Sequence, residues 1–233
     1  MIEQSAFVLH SRPYRENQLL VDLLTETEGK VSATVFVGQS KRSIKKALLQ
    51  PFLPLKVTLK SQNNFKQIKS IDSIAKSYPL VKNSLYSAFY INELLIRLLK
   101  EQIECHHLFS QYQTSLYALA QGCNIASELR KFELTLLEEL GLSFDFTPIF
   151  EHDVSHFYYI AEQGFVPVYQ AEPKNLTKCF VKSHLEEIAE QSDLAEDSPS
   201  ANTFKLLMRQ VINQLLGNKP LNSRKLFIKS NKK

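Results

Sequence analysis

Leu55-Lys56-Val57-Thr58-Leu59-Lys60 alternates strictly, with Leu55, Val57 and Leu59 on one side and Lys56, Thr58 and Lys60 on the other, the pattern of a half-buried strand. Upstream, residues 30–37 repeat the alternation and are rich in β-branched side chains, Val31, Thr34, Val35 and Val37. Residues 19–25 form another apolar run, closed by Glu26-Thr27-Glu28-Gly29, whose glycine suits a hairpin turn. Residues 6–10 are a first short run, and Ser11-Arg12-Pro13 is expected to end it in a turn. Downstream, Pro51 and Pro54 bracket the entry to the 55–60 strand, and Asn63-Asn64 marks a turn. Residues 66–75 give a fifth strand, with a bulge suggested by the spacing of Ile68, Ile71 and Ile74. Five short strands in so small a region predict a closed barrel, because closure removes exposed edges. Strand count and the long connection between the third and fourth strands favour an OB-type barrel over an SH3-like one.

From Leu80 the period becomes helical: Leu85, Phe89, Leu94, Leu95, Leu98 and Leu99 recur at helical spacing, and neither glycine nor proline interrupts residues 80–117. Two helices are expected there, the second over about residues 107–120 and stopped by Gly122. A third runs from residues 124–127 to Gly141, with Leu129, Phe132, Leu136, Leu137 and Leu140 as its stripe. The helical pattern lapses over residues 142–173, where residues 157–160 and 165–169 flank Ala161-Glu162-Gln163-Gly164 as a small hairpin. Helices resume at 177–191 and after Ser198-Pro199, an N-cap serine before an N1 proline, with a last short turn at 223–227. The fold class is therefore α+β, with a barrel domain over residues 1–79 and a helical domain over 80–233 carrying the inserted hairpin.

The long connection holds Gly38-Gln39-Ser40-Lys41-Arg42-Ser43-Ile44-Lys45-Lys46. Residues 30–71 contain nine cations and no Asp or Glu, and residues 198–233 contain eight cations and again no acid. The net charge of +4 thus hides +17 in two blocks against −13 elsewhere. Such a field attracts a polyanion, of which nucleic acid is the commonest. Lys30, Lys41, Arg42, Lys45, Lys46, Lys56, Lys60 and Lys66 are the candidate phosphate contacts; the competing reading is a merely solvated face. Tyr14, Phe36 and Phe65 lie near these cations and can stack on bases, although core or rim packing is the commoner role of each.

Other chemistry is absent from the sequence. There is no Gly-x-x-x-x-Gly-Lys loop, no Gly-x-Ser-x-Gly elbow and no His-Glu-x-x-His. Cys105, His106 and His107 are adjacent, and successive helical residues diverge by about 100°, so they do not converge on one metal. Cys105, Cys123 and Cys179 suggest no disulfide framework, and no apolar run reaches the roughly 20 residues needed to span a bilayer. A nonenzymatic, cofactor-free, cytoplasmic protein without membrane attachment is expected. A metal-dependent phosphodiesterase would need acids near the cations, which residues 30–71 do not supply. An RNA-binding OB-fold accessory protein stays open, because phosphates do not distinguish RNA from DNA.

Several short segments resemble the RecO family of bacterial recombination mediators. They are Ala6-Phe7-Val8-Leu9-His10-Ser11-Arg12-Pro13, Ser40-Lys41-Arg42-Ser43, Leu49-Gln50-Pro51-Phe52, Leu85-Tyr86 with Tyr90-Ile91-Asn92-Glu93-Leu94-Leu95, Leu129-Arg130 with Phe132-Glu133-Leu134, Leu140-Gly141, and Lys219-Pro220-Leu221 with Ser223-Arg224. Each is weak alone; their order and spacing across nearly the whole chain are specific. The resemblance implies an OB-fold, a helical domain and a zinc-ribbon-like insertion. It implies action near the nucleoid: binding of single- and double-stranded DNA, annealing of strands coated by single-stranded DNA-binding protein, and RecA loading together with RecR. It places Arg130, with Lys131, at the receptor for the acidic, phenylalanine-terminated tail of single-stranded DNA-binding protein. Read from the residues alone, these two are an exposed helix pair bridged to Glu133 or Glu128 at helical spacing. Some family members carry four cysteines in the insertion; residues 142–173 have none, so the hairpin is expected to persist without metal.

Overall fold

Five strands lead the chain in the computed structural model, which describes residues 2–38, 44–62, 65–169, 179–190 and 194–230. They are β1 (Ile2–Arg15), β2 (Gln18–Thr25), β3 (Gly29–Phe36), β4 (Leu55–Gln62) and β5 (Phe65–Ser73), with the short helix α1 (Ile44–Leu48) between β3 and β4. They close as β1-β2-β3-β5-β4, every pairing antiparallel except β3 with β5, an OB-like barrel. Alternation does the building: Val31, Ala33 and Val35 of β3 and Leu55, Val57 and Leu59 of β4 meet Val21, Leu23, Ile68 and Ile71 in one buried cluster. Each Val, Leu or Ile side chain among them contributes about 1.5–3 kcal/mol on full burial. The bulge expected in the fifth strand lies at Lys69, where the β4–β5 register shifts between Thr58 and Leu59.

Pro13 does not end the first strand. β1 pairs with β4 only over Ile2 to Ala6, so where Pro13 sits, opposite Leu19, the strand has β2 as its ladder partner and the missing N–H costs little. The turn falls instead at Glu16 and Asn17, with Asn17 at φ 61°.

The chain divides into two compact units, Met1–Ile125 with Leu221–Lys233, and Ala126–Pro220. The first adds helices α2 (Lys82–Leu98) and α3 (His106–Gln121) to the barrel. Phe7, on the outer side of β1, is covered by an edge contact with Tyr112 at 5.1 Å and by Phe109 at 5.8 Å. Asn92 donates through Nδ2 to the Leu9 carbonyl at 3.1 Å and accepts from the Tyr112 hydroxyl at 2.8 Å, so this buried amide satisfies both neighbours. Burial holds the Tyr112 phenol far above its ordinary pKa. Gly29 has φ +64°, and a Cβ there would collide with the Ile103 carbonyl oxygen; the residue is glycine because the α2–α3 connection lies against the β2–β3 turn. After the second unit the chain returns as α8 (Arg224–Ser230), whose Phe227 ring packs edge-on to Tyr86 at 5.5 Å.

The second unit holds α4 (Ile125–Glu139), α5 (Thr147–Glu151), β6 (His156–Ile160), β7 (Gly164–Pro167), β8 (Cys179–Val181), α6 (Lys182–Glu190) and α7 (Pro199–Leu215). The expected hairpin is β6–β7, enlarged to a three-stranded sheet in the order β7-β6-β8. The helix expected over 177–191 is replaced at its start by β8, because Phe180 pairs with Phe157 and both bury against the sheet. The turn α5 carries no helical stripe in the sequence and is set by Pro148 at its start and the Asp145 carboxylate accepting from the Thr147 N–H at 2.9 Å. Ser198 caps α7 as its sequence foretells, its hydroxyl accepting from the Ala201 N–H.

Candidate nucleic-acid interface

The cations named from the sequence separate into three groups. Lys41 and Arg42 lie outside the described residues. Lys45, Lys46 and Lys60 are exposed, the first two on α1 and the third on the outer side of β4 opposite Gln67. Lys56 is exposed on the same side of β4, two residues from Thr58, but bonds the Glu3 carboxylate at 2.6 Å and sits opposite Asp72. That bond to Glu3, with the field of Glu3 and Asp72, raises its pKa, so this lysine already has carboxylates beside it.

Lys30 and Lys66 are engaged within the fold. Lys30 Nζ donates to the Ile96 carbonyl in the last turn of α2 at 3.0 Å, where the helix end favours a cation. Lys66, 13% exposed, pairs with Glu28, whose other oxygen accepts from Gln4 at 2.7 Å. The partners Glu3, Glu28 and Asp72 all come from outside the acid-free stretch: a window empty of carboxylates in sequence is not empty in space.

Among the described residues of the barrel strands, three further exposed cations were not among the candidates. Lys69 stands at the β5 bulge, and Arg12 and Arg15 lie near the end of β1. Arg15 has its guanidinium carbon 5.2 Å from the centre of the Tyr14 ring, and Phe36 at the end of β3 is 57% exposed. Lys69 was legible as one of the nine cations; Arg12 and Arg15 escaped because Glu16 and Asp22 separate them from the acid-free window. The side chain of Phe65 is not among those described.

In the second unit Arg130 and Lys131 are both paired along α4. Arg130 Nη2 donates to Glu133 Oε1 at 2.5 Å with Nε 2.5 Å from Oε2, and Lys131 reaches Glu128 at 3.4 Å. The Glu133 side chain is fully buried and that of Arg130 is 17% exposed.

The family model for the recombination protein O N-terminal region matches residues 1–77, and that for the recombination protein O C-terminal region matches residues 83–224. The chain belongs to the RecO family. It is 36% identical to the DNA repair protein RecO of Pseudoalteromonas atlantica over 230 residues, 96% of this chain and 92% of that one. Likeness to the DNA repair protein RecO of Psychromonas ingrahamii is 36% over 96% of both chains, and to that of Cellvibrio japonicus 37% over 96% of this chain and 95% of the relative. It is a DNA repair protein by family. In this RecO chain the small sheet is consolidated by aromatics: Phe165 lies 5.2 Å from both Phe146 and Tyr159, and Phe144 lies 5.3 Å from Tyr159. Among the described residues no group of three His, Cys, Asp or Glu side chains is placed to hold a metal, and no helix is long and apolar enough to cross a membrane.

Proposed function

We propose that this RecO-family protein is a nonenzymatic mediator that holds DNA through cations of the barrel and anneals complementary strands coated by single-stranded DNA-binding protein. The observation that carries the reading is the set of exposed lysines, Lys45, Lys46, Lys60 and Lys69, drawn from one acid-free stretch and displayed on a barrel of OB-like connectivity. Each phosphate neutralised by a lysine releases condensed counterions, which gives affinity without regard to base sequence. Screening the phosphates of two strands removes the repulsion that slows their pairing, so annealing needs no covalent step. Lys41 and Arg42 belong to the same proposed path. Arg130 and Lys131 are proposed to take the acidic tail of single-stranded DNA-binding protein, and the protein to act with RecR in loading RecA.

The test is the fourfold charge reversal of Lys45, Lys46, Lys60 and Lys69 to Glu. All four side chains are solvent-facing, so the variant keeps its circular dichroism and melting temperature. Annealing of complementary oligonucleotides should fall to the spontaneous rate; a folded variant that anneals as the unmodified protein does refutes the reading. Salt-dependent binding of RNA but not DNA would favour an RNA-binding OB-fold protein instead.

A further inference from the structure

Charge alone does not account for the aromatic end of the barrel. Val35 and Val37 flank Phe36 and both point into the core, so the Phe36 ring projects outward and is 57% exposed. Gln18 pairs with Phe36 on one side and with Arg15 on the other. Directly opposed residues share a face, so Arg15, Gln18 and Phe36 form an outward row about 10 Å across, two strand spacings. Tyr14, at the register shift between Pro13 and Arg15, is 39% exposed and carries the Arg15 guanidinium over its ring. Arg12 is exposed nearby; Glu16, in the turn, is the adjoining carboxylate. Phe36 also stands two residues before Gly38, where the basic connection begins.

An exposed ring costs hydration free energy unless something covers it. The occupant must accept guanidinium charge and also offer a flat apolar face, at the mouth of a basic segment. A single DNA strand offers both: phosphates for Arg12 and Arg15, and unstacked bases for the rings. A duplex offers only phosphates at this spacing, because its bases are already stacked. We infer that Tyr14, Arg15 and Phe36 form a base-stacking site through which this protein prefers single-stranded DNA to duplex. The inference rests on the proposed DNA-binding reading and adds a contact to bases that phosphate neutralisation does not supply.

The test compares a labelled oligothymidylate with an abasic strand of equal length, which has the same phosphates and no bases, by fluorescence anisotropy at several salt concentrations. The protein should bind the base-bearing strand more tightly. Phe36→Ala should weaken binding of that strand roughly 5- to 150-fold, the span expected for one lost stacking contact. It should leave the abasic strand and the salt slope unchanged, and Phe36→Trp should restore binding. Phe36 is solvent-facing, and an unchanged melting temperature shows that the variant folds. Equal binding of both strands by the unmodified protein, or equal loss of both in Phe36→Ala, overturns the stacking site and leaves phosphate binding standing. If neither strand binds at low salt, the DNA-binding reading falls and the stacking site with it.

Discussion

Glu133 is a carboxylate with no exposed surface on the inner side of α4, beside Phe132, Leu136 and Leu137. Taking such a charge out of water costs several kcal/mol, and the Arg130 guanidinium, one turn away, offsets it. Removing one partner of a buried pair is therefore worse than removing both. Arg130→Ala should destabilise the protein by about 3 kcal/mol or more, whereas Arg130→Met with Glu133→Leu should be close to neutral, as measured by urea denaturation. Equal stabilities for the single and double variants would contradict this account. The same pair decides how the proposed tail site is to be probed. Lost peptide binding in Arg130→Ala alone would report an unbalanced Glu133 as readily as a lost contact. The double variant removes the guanidinium without stranding a charge. Sequence spacing showed that Arg130 and Glu133 can meet, and it set Glu133 within the stripe of Leu129, Phe132, Leu136, Leu137 and Leu140; the burial was missed because a carboxylate at such a position reads as a solvated break in the stripe until its guanidinium partner is seen to cover it.

At the scale of elements, the C-terminal helix is fastened by a side chain of another helix. Glu93 on α2 accepts from the Asn222 N–H at 2.9 Å, the Ser223 N–H at 2.8 Å and the Ser223 hydroxyl at 2.7 Å, just before α8 begins. Partial burial pushes the Glu93 carboxyl up, but those donors and Arg97, 3.6 Å away, outweigh it and hold its pKa below the ordinary 4.5. The folded state thus releases this proton more readily than the unfolded one, so the stabilisation is complete above about pH 4.5 and is lost as pH falls through the lower folded value. Glu93→Gln should cost about 1–2 kcal/mol at pH 7, discounted for solvent access. That difference should shrink below pH 4.5 in urea titrations repeated across pH; a difference independent of pH would rule the charge out as the fastener. The contact joins residues 130 positions apart, beyond the reach of any local pattern. Where burial alternates, as in β3 and β4, the sequence displayed the strands directly. Pro13 misled because its local turn preference is overridden when a strand has a single neighbour, and β8 was hidden because three residues around Phe180 are too few to show a period.

For the whole molecule, the charge pattern marks the end proposed to bind a polyanion without saying which cations would serve it. Lys30 and Lys66 sit inside the same acid-free stretch as Lys45 and Lys60, yet chain folding brings the Ile96 carbonyl and Glu28 to them. An amphipathic pattern says that a lysine faces outward from its strand; it does not say whether a helix covers that outer side, as the α2–α3 region does near β3. The distinction is measurable in counterion release. Each phosphate contact on single-stranded DNA contributes about 0.7 to the slope of log binding constant against log salt. Neutralising Lys45, Lys46, Lys60 or Lys69 with Gln should each lower the slope by about that amount. Lys30→Met should leave the slope unchanged and appear instead as a lower melting temperature, because it gives up the contact at the α2 terminus. If Lys30→Met flattened the slope while Lys60→Gln did not, the DNA path would have to run over the helix-covered side of the barrel, and the assignment of the exposed lysines to phosphate would be reversed.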